Sequence, residues 1–348
     1  LEFNVPLDKG EVEGSLLSRS PYFLDVLRTP IHFSQNAISA LDRFATMRIG
    51  VDVGGTKIEI IALDNNGRTI VRRRMATPSA DYAGIVRAIV DLVVQAQQEI
   101  GETASVGIAT PGAISATTNL IKNSNSTVLN GKPLSRDIAA ALGQPVRIEN
   151  DANCLAISEA ADGAAAGAKI VFGAILGTGV GGGLVIDGRA LTGCNRIAGE
   201  WGHNPLPWLN DVERPGHRCY CGKTGCIETF LSGAGLQREY FSRSGKALTP
   251  EDVAVAAIQD NKDAVRSILA YKDRLARGLA SVINVFDPDV VVLGGGLSNI
   301  EALYAGLADL IAAYAFSDDI KTKIVKAMHG DSSGVRGAAW LWPAKGEG

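Results

Sequence analysis

The chain carries no excess of charge. Thirty-four Lys and Arg stand against 37 Asp and Glu, for a formal net charge of −3, and no basic block occurs. A surface that binds nucleic acid by neutralising phosphates is therefore not expected. No apolar run reaches the length of a membrane span, so no membrane contact is expected. Residue 1 is Leu, and no basic segment followed by an apolar stretch opens the chain, so no signal peptide is read there. Cysteine is sparse: five residues, three clustered and two (Cys154 and Cys194) isolated. That excludes a disulfide framework and fits a reducing, cytoplasmic setting and a metal.

What the chain has is a large apolar fraction, 46% of 348 residues, and 40 glycines. That is enough for two ordinary domains or one large one. Many glycines stand in pairs and triplets, as in turns where backbone approaches a ligand. Residues 1–46 differ from the rest: four basic and six acidic residues, with no sustained periodicity. Met47 is read as the natural start and residues 1–46 as an upstream extension.

From residue 48 the pattern alternates strands and helices. Strands are expected over 48–53, 57–63 and 68–74, with Asp64-Asn65-Asn66-Gly67 as a hairpin turn. Residues 82–100 repeat apolar side chains with helical period at Ile85, Ile89, Leu92, Val93 and Ala96. Short strands follow over 105–108 and 145–148, with a helix over 137–142 between them. The second half repeats the opening: strand 169–176, a Gly177-Thr178-Gly179 break, strand 182–186, turn Asp187-Gly188. This doubling suggests two related lobes with a cleft between them. Thr249-Pro250-Glu251-Asp252 reads as a helix entry. A long helix is expected over 263–286 with Val265, Ile268, Leu269, Leu275, Leu279, Val282 and Ile283 on one face, then a buried strand over 289–293 and a helix over 302–315. The class is α/β, with glycines at the carboxyl ends of strands, where such sheets bind ligands.

Three glycine turns are candidates for nucleotide binding. In Asp52-Val53-Gly54-Gly55-Thr56-Lys57 the glycines let backbone N–H groups reach phosphate oxygens, Thr56 and Lys57 add a hydroxyl and a charge, and Asp52 can hold Mg²⁺. A tight turn with no ligand is the competing reading. Gly177, Thr178 and Gly179 suit the same purpose, and Gly294, Gly295 and Gly296 suit a base or ribose. Two look-alikes are rejected. Gly177, Gly179 and Gly182 match the dinucleotide fingerprint, but a strand follows where a helix is required. Gly222-Lys223-Thr224 resembles the end of a Walker A loop, but position 217 is His, not Gly.

Asp151, in Glu149-Asn150-Asp151-Ala152-Asn153, follows a strand and precedes a helix. A carboxylate there can take the proton of a hydroxyl that attacks a phosphoryl group, and Asn150 can bind a sugar hydroxyl. A simple helix N-cap explains the same residues. Finally, His203, Cys219, Cys221 and Cys226 form a complete tetrahedral ligand set, which marks structural rather than catalytic zinc. Glu200 and Glu228 bracket it. His217 is a rival ligand, but its two-residue spacing from Cys219 would strain the site; His32 and His329 read as lone histidines.

Together these motifs resemble the ROK family of bacterial sugar kinases and sugar-responsive repressors, from Met47 to about Pro343. The resemblance implies a two-lobed, actin-like (ribonuclease H-like) ATPase fold with a zinc-binding loop at 199–228. Its lobes would span residues 47–165 and 166–325, with 326–348 returning to the first. ATP with Mg²⁺ would lie in the cleft, its phosphates on residues 54–57 and 177–179. Asp151 matches the family's catalytic base, and Asn150, Asp151, Glu200, His203 and Glu228 match its sugar contacts, His203 also serving zinc. Residues 122–127, 203–208 and 330–337 resemble bacterial fructokinases of the mannokinase type. The expected activity is thus 6-phosphorylation of D-fructose, with D-mannose as a second substrate; a kinase for glucose, N-acetylglucosamine or N-acetylmannosamine is the alternative. The resemblance also implies a homodimer. A ROK repressor would need an N-terminal winged helix-turn-helix, for which residues 1–46 are too short and acidic.

Overall fold

A computed structural model describes residues 47–342. The expectations for residues 1–46, His32 included, and for 343–348 lie outside the described residues. Along the chain the elements are β1 (Arg48–Val53), β2 (Lys57–Leu63), β3 (Thr69–Ala76), α1 (Tyr82–Ile100), β4 (Ser105–Thr110), β5 (Ala113–Ile114), β6 (Ile121–Lys122), α2 (Leu134–Leu142), β7 (Val146–Asn150) and α3 (Asp151–Asp162). Then come β8 (Ile170–Leu176), β9 (Val180–Ile186), β10 (Arg189–Ala190), α4 (Ile227–Leu231), α5 (Gly233–Ser244), α6 (Pro250–Ile258), α7 (Lys262–Phe286), β11 (Val290–Gly294), α8 (Leu307–Ala312), β12 (Lys323–Lys326) and α9 (Ser333–Ala339).

The strands build two five-stranded sheets, ordered β3-β2-β1-β4-β7 and β10-β9-β8-β11-β12. Their plans match. In each, the first strand pairs antiparallel with the next in sequence and parallel with a later one, and that later strand pairs parallel with the sheet's last. The doubling read from the glycine turns is therefore a doubling of sheet topology. β1, β2 and β4 bury almost every side chain, because helices cover the first sheet, as parallel pairing demands.

Helix α1 buries Ile85, Ile89, Leu92, Val93 and Ala96 and ends where Gly101 (φ 75°) donates its N–H to Gln97 O. α6 starts as its sequence dictates: the Thr249 side chain accepts from Asp252 N, and Pro250 takes the first turn. α7 buries Ile268, Leu275, Leu279, Val282 and Ile283, but Leu269 is exposed, and Arg274 and Arg277 turn inward instead. The single helix expected over 302–315 is broken. Gly306 adopts φ 68°, so only a short 3-10 turn at Glu301–Leu303 and then α8 form.

Two helices, α3 and α9, touch both sheets or each other. A Cβ on Gly337 of α9 would lie 1.7 Å from Cys154 O of α3, and one on Gly50 of β1 would lie 2.0 Å from Val335 O. Only glycine permits so close an approach. The turn leading into α9 is gripped by Glu159 of α3, a fully buried carboxylate. It accepts from Ala164 N (2.8 Å), Met328 N (2.9 Å), His329 N (3.1 Å) and Ser333 Oγ (2.9 Å). Four donors satisfy a charge that burial would otherwise make costly. The next turn adds Asp162, which pairs with His329 and Arg336.

Candidate active site

β7 runs straight into α3, and the junction carries the candidate base. Asn150 is the N-cap: its Oδ1 accepts from Asn153 N at 2.9 Å. The cap reading therefore falls to Asn150 and leaves Asp151 at the first helical position. One Asp151 oxygen accepts from Ala152 N (2.8 Å) and from Asn150 Nδ2 (3.2 Å). Burial pushes the Asp151 carboxyl up to about 6; the Ala152 hydrogen bond opposes this and the charge of Glu200 adds to it. The carboxyl thus titrates just below neutrality, where a general base works. Glu149, to which the sequence reading gave no role, accepts from Asn150 N (2.9 Å) and Asn153 Nδ2 (3.1 Å) and braces the junction.

At the end of β1, Gly54 N bonds Lys57 O (2.9 Å), and Thr77 Oγ1 donates to Gly54 O (2.7 Å), which fixes the first loop. Asp52 sits directly across the β1–β2 ladder from Glu59. Burial, then the charges of Asp151 and Glu59, push Asp52 up to about 7, while Lys57 pulls the other way. An acid under this much negative field suits a divalent cation, so the Mg²⁺ reading fits the residues present. Glu59 itself is buried and paired with Arg72 and Arg74, each at 2.8 Å. Lys57 reaches it at 3.9 Å.

The second loop is pinned by Gly177 N to Gly179 O (3.0 Å) and by Gly233 N to Gly177 O (2.8 Å), and β9 follows it, as expected. The third glycine run divides. Side chains on Gly294 and Gly295 would strike Leu155 Cδ1 at 2.2 Å and Leu176 O at 2.5 Å, so packing explains these two. Gly296 alone faces open space.

Residues 199–228 form a tight cluster. The candidate ligand atoms of His203, Cys219, Cys221 and Cys226 all lie within 4.8 Å of one another. Cys219 Sγ is 3.6 Å from His203 Nδ1, and Cys221 Sγ is 3.6 Å from Cys226 Sγ. A zinc tetrahedron with bonds of about 2.0–2.3 Å has edges of this size, so the donor set fits zinc. His217 is not part of it; its ring packs against Phe230, 5.5 Å between centroids. His203 Nε2 lies 2.9 Å from the hydroxyl of Tyr220, a partner the sequence reading missed. Glu228, in the first turn of α4, accepts from Val180 N at 3.0 Å.

The segment between His203 and Cys219 is anchored by buried charge. Glu213 receives Arg274 (2.7 Å) and Arg277 (2.7 Å) from α7, and Arg277 also donates to Pro207 O and Trp208 O. Burial raises the Glu213 carboxyl, but the hydrogen bonds from Arg277 and Arg274 outweigh it and hold the group at about 2. No spacing rule links Glu213 to residues 61 and 64 positions away, so this anchor was invisible in the sequence.

The model of the ROK family matches residues 48–345. The chain belongs to the ROK family. A relative from Photobacterium profundum, named N-acetyl-D-glucosamine kinase, is 42% identical over 85% of this chain and 99% of its own. Among solved structures, the ROK hexokinase of Thermus thermophilus is 30% identical with a TM-score of 0.76, covering 85% of this chain and 97% of that one. A ROK glucokinase from Streptomyces griseus, solved with glucose and AMPPNP, is 29% identical with a TM-score of 0.70, covering 85% and 98%. The actin-like fold follows, and by sequence the chain falls with the family's sugar kinases. No helix among the described residues is long and apolar enough to cross a membrane.

The expectation of fructose is corrected by these relatives: several at 40–42% identity carry the N-acetyl-D-glucosamine kinase name. Much of the stretches that suggested a fructokinase serves packing. Asn123 takes φ 58° in a turn braced by Asn130, residues 207 and 208 offer carbonyls to Arg277, and α9 lies against α3 and β1. Such positions report shared scaffold, not which sugar is held.

Proposed function

We propose that this chain is an ATP-dependent N-acetyl-D-glucosamine kinase acting on the primary 6-hydroxyl. The observation that carries the reading is the 42% identity across 99% of a relative with that name. The site supports the chemistry. Asp151 takes the proton of the attacking hydroxyl, held to its task by the Ala152 N–H and by Asn150. Asn150, Glu200, His203 and Glu228 orient the sugar hydroxyls. Residues 54–57 and 177–179 receive the phosphates of ATP, and Gly296 borders the space for the nucleoside. Asp52 holds Mg²⁺, which when bound offsets charge on the transferring phosphoryl group. His203, Cys219, Cys221 and Cys226 hold zinc, whose part is to shape the loop; with four protein ligands no position is left for catalysis.

A coupled ADP-release assay over N-acetylglucosamine, N-acetylmannosamine, glucose, mannose and fructose tests this. N-acetylglucosamine is expected to give the highest kcat/KM. No ADP release with any sugar would sink the kinase reading; a higher kcat/KM for another hexose would sink the substrate assignment.

A further inference from the structure

His203 has two ring nitrogens, and each has its own neighbour. Nδ1 lies 3.6 Å from Cys219 Sγ, on the side of the cysteine cluster. Nε2 lies 2.9 Å from the hydroxyl of Tyr220. An imidazole that gives its Nδ1 lone pair to zinc carries its one hydrogen on Nε2. That N–H then donates to Tyr220 Oη. If His203 holds a sugar hydroxyl, only Nε2 is left to do so, and Tyr220 already occupies it.

Tyr220 stands between two candidate ligands, Cys219 and Cys221. The turn is closed by Gly222 N to Cys219 O (3.0 Å) and by Cys219 N to Lys223 O (2.8 Å). The backbone is therefore fixed, and only the side chain can turn away. Little holds that side chain. It is 82% exposed, and its ring meets His203 edge to face, 5.1 Å between centroids. Among the described residues, His203 is the one hydrogen-bond partner of its hydroxyl. The charges of Glu228 and Glu200 both act on that hydroxyl. A protein hydroxyl thus stands among the three side chains proposed to hold sugar hydroxyls.

Zinc binding does not call for this phenol, since Cys219 and Cys221 need only their spacing. A partner that served purely to orient the imidazole would be buried and held by bonds of its own. Tyr220 is neither.

We infer that the Tyr220 hydroxyl is a stand-in for a substrate hydroxyl. It takes the His203 Nε2–H while the site is empty and is displaced when the sugar binds. Between turnovers it keeps that N–H satisfied and the imidazole aligned. At His203 one hydroxyl replaces another, so sugar affinity is reduced by the bond that Tyr220 must give up. This rests on the reading of His203 as a sugar contact. It makes Tyr220 a residue that sets sugar affinity without touching the reacting atoms.

Tyr220→Phe tests it, because the hydroxyl goes and the ring stays. Zinc-loaded wild type and variant are titrated calorimetrically, with a non-hydrolysable ATP analogue present. The sugar is the panel hexose that the wild type binds most tightly, N-acetylglucosamine by expectation. The variant is expected to show a Kd about two- to tenfold lower, the worth of one hydrogen bond. Its zinc content should match the wild type's, because no ligand is lost. The second readout is the His203 Nε2 signal in long-range proton–nitrogen spectra of enzyme labelled with nitrogen-15 histidine. Without sugar the two proteins should differ there, because only one has the phenol partner. With saturating sugar the two signals should coincide. A difference that persists with sugar bound would keep Tyr220 on His203 throughout and overturn the inference. So would a variant Kd equal to or above the wild type's, or a loss of zinc, which would make Tyr220 a support of the cluster. In each of these cases the kinase reading stands. A wild type that binds no hexose of the panel would overturn that reading and the inference with it.

Discussion

Glu228 accepts a hydrogen bond from the backbone N–H of Val180 with one oxygen, while its other oxygen lies 4.0 Å from Cys219 Sγ. One carboxylate therefore spans the Cys/His cluster and the strand that leaves the second glycine loop. The cluster cannot lose its shape without disturbing groups proposed to hold sugar and phosphate. Metal analysis is expected to find about one zinc per chain. Chelation, or Cys226→Ser, should lower the melting temperature and raise the sugar KM together, because binding energy at a structural zinc is folding energy. Metal-free enzyme with unchanged stability and sugar KM would contradict the structural role.

Asp151→Asn separates catalysis from folding. Removal of the base should lower kcat by about 10²–10⁴-fold. The carboxyl is raised to about 6 in the folded state, so the folded protein holds its proton more tightly than the unfolded chain. Stability from this group is present below pH 4 and is lost as pH rises through about 6. At pH 7.5 the charge burdens the fold, and the neutral amide should melt no lower than the wild type. Thermal melts at pH 5 and 7.5 check the sign.

Burial and then the charge of Asp151 push Asp52 up to about 7, while burial and the charge of Glu200 push Asp151 up to about 6. In free enzyme, kcat/KM for Mg·ATP should fall with decreasing pH across this range. A cation at Asp52 favours its charged form. The acid limb of kcat at saturating Mg·ATP should therefore lie at lower pH than that of kcat/KM. Superimposable limbs would argue against Asp52 as the Mg²⁺ residue.

Glu213→Ala leaves Arg274 and Arg277 buried without their shared carboxylate, which typically costs about 3–5 kcal/mol. In the wild type this group is held near 2, so its contribution is full above its unfolded value of 4.5 and is lost as pH falls from there toward 2. Acid unfolding of the wild type should steepen in that window, and the alanine variant should lack that part of the transition. Loss of the segment's anchor should also loosen zinc.

The sequence reveals some levels of this structure and hides others for physical reasons. Helix α1 is legible to the residue because its apolar period, its length and Gly101 all agree. α9 escapes notice: its Ser-Gly-Val-Arg-Gly-Ala-Ala run has no amphipathic stripe, since small residues are needed to lie against Cys154 and Gly50. Gly337→Ala, which would set a methyl 1.7 Å from Cys154 O, should destabilise by about 1–3 kcal/mol or more. At the site, the candidate zinc ligands and Asp151 stand in local motifs and can be found by spacing. Glu213 cannot, because the arginines it anchors lie 61 and 64 positions away.

The most direct test of the central claim is the product itself. Wild-type enzyme, ATP, Mg²⁺ and N-acetylglucosamine should yield a phosphomonoester whose phosphorus NMR signal couples to the two C6 protons, and Asp151→Asn should yield almost none. A wild type that forms no sugar phosphate, or an Asp151→Asn variant that forms it at the wild-type rate, would contradict the assignment.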